Sequence, residues 1–159
     1  MRPPDASITL DLPPETSKPN AGYAGNWQSK SRPAKKYAET NGAVVWSHAI
    51  ELGNPKWKSV AIRLTFVMPP LKKGGSDKRS DPDNLIAWAK RSLDLLTVHG
   101  ILDDDRDVVH LPPIQRRASQ PIIGFKQSMP GLTIEIWQRR EGECPFCGSP
   151  QLTKEPCGQ

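Results

Sequence analysis

The sequence predicts an α+β domain: a small mixed sheet in βαβαββ order with two helices packed on it. Three observations carry this expectation. Two segments of helical length carry apolar residues near helical spacing, with a proline at the front and a glycine behind. Four short segments alternate apolar and polar residues or run apolar and β-branched, as strands do. Prolines cluster between these segments, at Pro13–Pro14, Pro69–Pro70 and Pro112–Pro113, where they punctuate loops.

Ile8-Thr9-Leu10-Asp11-Leu12 alternates as a strand and Pro13-Pro14 ends it. Residues 13–32, rich in Pro, Gly, Ser and Asn, read as a long N-terminal loop, a kind that is usually functional or disordered. A helix is expected from Pro33 to Leu52, stopped by Gly53, although Gly42 and the pair Val44–Val45 are poor helix residues. Its apolar stripe is read as Tyr37, Val44, Val45, His48 and Leu52. Ser59–Val67 is a strand, with Val60, Ile62, Leu64 and Phe66 alternating against Ser59, Arg63 and Thr65. The second helix runs from Pro82 to His99, with Asp81 as N-cap, Pro82 at the first position and Gly100 behind it. Leu85, Trp88, Ala89, Ser92, Leu95 and Leu96 form its buried stripe. Val108–Leu111 and Leu132–Trp137 complete the strands.

The chain of 159 residues fits one domain, 1–140, followed by a cysteine-bearing tail, 141–159. A formal charge of +5 favours polyanionic partners. No apolar run reaches the ~20 residues that span a membrane. Met1-Arg2-Pro3-Pro4-Asp5 lacks the apolar segment of a secretory signal, so a cytoplasmic protein without a membrane partner is expected. The three cysteines, all near the C-terminus, suggest no disulfide framework.

The residues that carry chemistry are Asp81, Asp83 and the run Asp103–Asp105. Phosphodiester hydrolysis needs a positioned water and charge stabilisation at the phosphate; hard Mg²⁺ held by carboxylate oxygens provides both. Asp81 and Asp83 share the head of the second helix, and the strand after the acidic turn is expected to bring that turn back alongside. Seven residues after Asp83, Lys90 returns to nearly the same helix face, with Asp94 a turn further, where a lysine can stabilise developing charge. The plainer alternative is that these aspartates are helix caps, dipole partners and a solvated turn.

Asp81-Pro82-Asp83-Asn84-Leu85, then Leu93-Asp94-Leu95-Leu96-Thr97, Gly100 and Asp104-Asp105, resembles the signature of the RusA-type Holliday-junction resolvases. Ile8-Thr9-Leu10 with Pro13-Pro14 and Asn20, and Phe66-Val67-Met68-Pro69, are similar to that family's first two strands, so the likeness covers Ile8 to Trp137. The resemblance implies a Mg²⁺- or Mn²⁺-dependent endonuclease that cuts branched DNA in recombination and repair, acting as a homodimer on a four-way junction. It places metal-binding aspartates on Asp81, Asp83 and Asp105, with Asp104 competing for the third place. The family lysine falls on Ala87 when counted from Asp83, and on Lys90 when aligned from the downstream Leu-Asp-x-Leu. Small resolvases of this family are often phage-encoded.

Lys72, Lys73, Lys78 and Arg79, directly before the acidic pair, are read as DNA-backbone contacts, with Arg116, Arg117 and Lys126 extending the surface. A solubilising loop is the alternative. Tyr23 and Trp27 are candidate stacking residues, whereas Trp46, Trp88 and Trp137 are assigned to the core; His48, His99 and His110 are read as structural. Cys144-Pro145-Phe146-Cys147 has zinc-knuckle spacing with Cys157 as a possible third ligand, though no fourth is evident and a metal-free tail is the alternative. Two other functional classes stay open: a non-catalytic branched-DNA-binding accessory protein and a zinc-stabilised interaction adaptor.

Overall fold

In the computed structural model the described residues are 2–18, 27–71, 75, 79–104, 106, 108–118 and 129–139, with 27–30 described through the backbone alone. The elements are β1 (Ala6–Leu10), α1 (Trp27–Glu51), β2 (Val60–Met68), α2 (Pro82–Val98), β3 (Val108–His110), β4 (Ile114–Arg117) and β5 (Gly131–Gln138), with a 3₁₀ turn at Glu15–Ser17. The fold is α+β, as the sequence predicts, with one strand more than expected. Cys144, Cys147, Cys157, Lys72, Lys73, Lys78, Asp105, Lys126 and Tyr23 lie outside the described residues.

The sheet is mixed. β5 lies between β1 and β2 and is antiparallel to both; β3 and β4 pair in parallel along the other side of β2. The parallel step from β2 to β3 requires a crossover, which α2 supplies. β3 and β4 form one edge interrupted by Pro112–Pro113. Across that break β2 advances from Ile62 to Thr65 while the edge advances from His110 to Ile114, one residue more. Proline cannot donate to a ladder, so an edge bulge is where such a pair is tolerated.

The core follows from strand alternation and one stripe on each helix. Val60, Ile62, Leu64 and Phe66 of β2 meet Leu132, Ile134 and Ile136 of β5 and Ile8 and Leu10 of β1. The helices cover this face with Tyr37, Val45 and Ala49 from α1 and Leu85, Trp88, Ala89, Leu95 and Leu96 from α2. Trp88 stacks on Phe66 at 5.3 Å between ring centroids, and its indole N–H donates to the Pro14 carbonyl at 3.0 Å. The opposite face holds a smaller cluster of Ala61, Leu111 and Trp137. Gly53 and Gly100 take φ of +76° and +77°, the left-handed conformation that ends a helix. At Gly42 a Cβ would stand 3.2 Å from the His99 ring, so α1 approaches the end of α2 closely there.

Two expectations are corrected. The loop assigned to residues 13–32 is shorter, because α1 starts at Trp27 and carries Pro33 inside it. Pro33 forfeits only the bond to the carbonyl of residue 29, near the helix's free end, so the helix continues ahead of it. Trp46 is not core: it is 57% exposed. The stripe that α1 buries is Ala34, Tyr37, Asn41, Val45 and Ala49, at intervals of three and four, and Trp46 stands one residue off it. Trp88 and Trp137 are buried as expected. Among the described residues no helix is long and apolar enough to cross a membrane.

Candidate functional site

The head of α2 positions the first two candidate aspartates. Asp81 occupies the N-cap with extended backbone, φ −60° and ψ 145°, and its carbonyl accepts from the Leu85 N–H at 3.1 Å. Its carboxylate makes no capping hydrogen bond. This departs from the capping role that the residue type suggests, and it leaves the charge available at the helix end. Pro82 at the first helical position fixes the entry and brings no N–H of its own. Asp83 lies in the first turn, and both aspartates are exposed. The positive end of the helix dipole stabilises this pair of negative charges.

A cationic pocket adjoins this helix end. It has a volume of about 270 Å³ and is lined by Arg79, Gln115, Arg116 and Arg117. Gln115 Oε1 accepts the Ser80 N–H at 3.0 Å and ties the residue before Asp81 to β4. Arg117 Nη1 donates to the Pro69 carbonyl at 3.1 Å. Arg79, the described member of the predicted basic loop, is thus brought beside arginines of a strand far away in sequence. The sequence signal for β4 is faint: Ile114-Gln115-Arg116-Arg117 has one apolar residue and follows two prolines.

The acidic turn lies elsewhere. The Asp103 N–H donates to the Trp57 carbonyl at 3.0 Å, and Leu102 bridges Trp57, ahead of the start of β2. Ser80 is held beside β4 instead, where Gln115 pairs with Phe66 near the far end of β2. The 17 residues of α2 separate these two sites by about 25 Å at 1.5 Å per residue. The expectation that the next strand returns the turn to Asp81 and Asp83 is therefore corrected for Asp103 and Asp104. Since β3 runs parallel to β2, it must begin at the edge where β2 begins, opposite the head of α2. Asp104 instead pairs with Arg106, whose Nε lies 3.1 Å from Oδ2. Among the described residues no group of three His, Cys, Asp or Glu side chains is placed to hold a metal.

Lys90 is exposed, about 10 Å along α2 from Asp83. With Asp94 and His110 it contributes the polar groups of a cleft of about 170 Å³ whose apolar walls include Ile62, Ile86, Leu93 and Val108. Desolvation in this cleft lowers the His110 pKa from its ordinary 6.5, favouring the neutral ring. On the other side Lys90, Arg91 and Asp94 border a hollow with Thr16 and Ser17. Lys90 is therefore shared by the cleft and by the hollow. Comparison with protein-family profiles and with curated proteins finds no match.

Proposed function

We propose that this chain is a metal-dependent, structure-selective endonuclease of the RusA type, resolving Holliday junctions and related branched DNA. One observation carries the reading: Asp81 stands at an N-cap without capping it, next to exposed Asp83, and a pocket of three arginines adjoins the same helix end. Carboxylates beside cations suit a phosphodiester better than they suit helix capping.

Two exposed carboxylates at a helix head are a hard-oxygen donor set that fits Mg²⁺ or Mn²⁺, which complete their shells with water and substrate phosphate. A bound ion would supply charge neutralisation at the phosphate and a more acidic water. Asp81 and Asp83 would hold the ion, the arginines grip the backbone, and Lys90 contacts DNA lying along α2. Asp104 belongs to the opposite end of the helix, so the third carboxylate would come from a second copy of the chain. The working unit is a homodimer with two composite sites, as suits a substrate with two strands to cut.

The test is cleavage of a synthetic four-way junction beside matched linear duplex, with Mg²⁺ and with chelator. Paired Mg²⁺-dependent nicks, lost in Asp83→Asn while junction binding persists, are expected. Tight binding without nicks would replace the nuclease with a binding-only accessory protein, and full activity in Asp83→Asn would refute the site.

A further inference from the structure

We propose that the pocket of Arg79, Gln115, Arg116 and Arg117 is a phosphate subsite, separate from the carboxylates, that takes one backbone phosphate of a polynucleotide. That the phosphate belongs to a polynucleotide rests on the nuclease reading above; that the pocket takes a phosphate group rests on its own construction. Its four lining residues include three arginines and, among the described residues, no carboxylate. Guanidinium groups gathered around one concavity repel each other, and an anion inside it converts that repulsion into attraction. Arginine's planar fork of donors suits phosphate oxygens.

The pocket is also held in place. β4 pairs with β2 in parallel, with Phe66 opposite Gln115, Val67 opposite Arg116 and Met68 opposite Arg117. The Ala118 N–H donates to the Met68 carbonyl at 2.8 Å and secures the end of the strand. Gln115 holds the backbone that carries Arg79, and Arg117 is braced on the Pro69 carbonyl. A solvated, solubilising loop would need none of these ties. The bulge at Pro112–Pro113 sets the register that brings Arg116 and Arg117 to the end of the sheet where α2 begins.

The experiment has two arms, each run on the wild type, Arg116→Gln and Arg79→Gln. The first titrates inorganic phosphate and follows the arginine Nε–Hε resonances by NMR. Saturable shifts at Arg79 and Arg116 are expected in the wild type, and their loss in either variant. The second measures binding of a labelled four-way junction in chelator across a salt series. Each substitution should lower the slope of log affinity against log salt by about 1, the share of one phosphate contact. Arg79→Gln lies outside the sheet, so its result is independent of any disturbance to β4. Non-saturating shifts that are the same in all three proteins, or an unchanged salt slope in both variants, would overturn the subsite and leave the nuclease reading standing. Saturable phosphate binding by a wild type with no affinity for any DNA would overturn the polynucleotide assignment and the nuclease reading together.

Discussion

Gln115 Oε1 accepts the Ser80 N–H at 3.0 Å, so a strand residue sets the position of the backbone directly ahead of Asp81. The bond is exposed, and removing it should change stability by no more than about 0.5 kcal/mol. Its effect on catalysis should be larger, because small displacements of a reacting group are costly. Gln115→Ala is expected to unfold at nearly the wild-type denaturant midpoint and to cleave junctions roughly tenfold more slowly, the order of a 1.4 kcal/mol loss. Unchanged cleavage would show that the head of α2 is positioned without this strand.

The separation of Asp81 and Asp83 from Asp104 gives the dimer reading a strict test. Asp83→Asn and the double variant Asp104→Asn/Asp105→Asn should each be inactive alone. If each site draws its carboxylates from two subunits, a mixed dimer contains one site with every defect and one intact site. Mixing the two proteins should then restore single-strand nicking of the junction, without paired cuts. If each site lay within one chain, both sites of the mixed dimer would be defective and no activity would return.

Tyr37 Oη lies 2.7 Å from Ser92 Oγ and donates to the Asp11 carbonyl at 3.1 Å, joining α1, α2 and the end of β1 in one buried contact. Asn41 adds to it by accepting the Asp11 N–H at 2.8 Å. Removing the hydroxyl leaves buried partners unpaired, so Tyr37→Phe should cost about 1–2 kcal/mol near neutral pH. Burial, opposed by the Ser92 bond and aided by the Asp11 charge, pushes the Tyr37 pKa from 10.0 up to about 12. A folded-state value above the unfolded one contributes stability that is full below pH 10 and lost as pH rises toward 12. Urea melts of both proteins at pH 8 and pH 11 should show the wild-type advantage shrinking at the higher pH; a constant gap would contradict this role.

What was legible in the sequence was local. The second helix announces itself through Asp81, Pro82 and Gly100, and its expected stripe from Leu85 to Leu96 is the buried one. The placing of Asp81 and Asp83 at one helix end is likewise local, since only Pro82 separates them. The start of α1 was hidden because Pro33 imitates a first turn, and Trp46 was misplaced because its bulk says nothing about which side of a helix it occupies. β4 carries no strand signature because Gln115, Arg116 and Arg117 have no apolar alternation and follow Pro112–Pro113. The destination of the acidic turn was not legible at all. It depends on β3 being parallel to β2, a property of the whole sheet, which sends the two ends of α2 to opposite edges.

His110 gives the cleft beside Lys90 and Asp94 a pH signature. Desolvation lowers its folded-state pKa below the ordinary 6.5, so the folded protein resists protonation that the unfolded chain accepts. The sign follows from linkage: the contribution is fully present above pH 6.5 and is lost as pH falls through the depressed folded-state value. Lys90 and Asp94 line the same cleft, and desolvation rather than either charge sets the direction of the shift. Replacing the ring with an uncharged amide removes the titration while keeping a polar group at the mouth of the cleft. His110→Gln should therefore lose less stability than the wild type between pH 7 and pH 5, measured as the shift in urea midpoint. An equal shift in both proteins would place the acid sensitivity elsewhere and make His110 a bystander at the edge of the sheet.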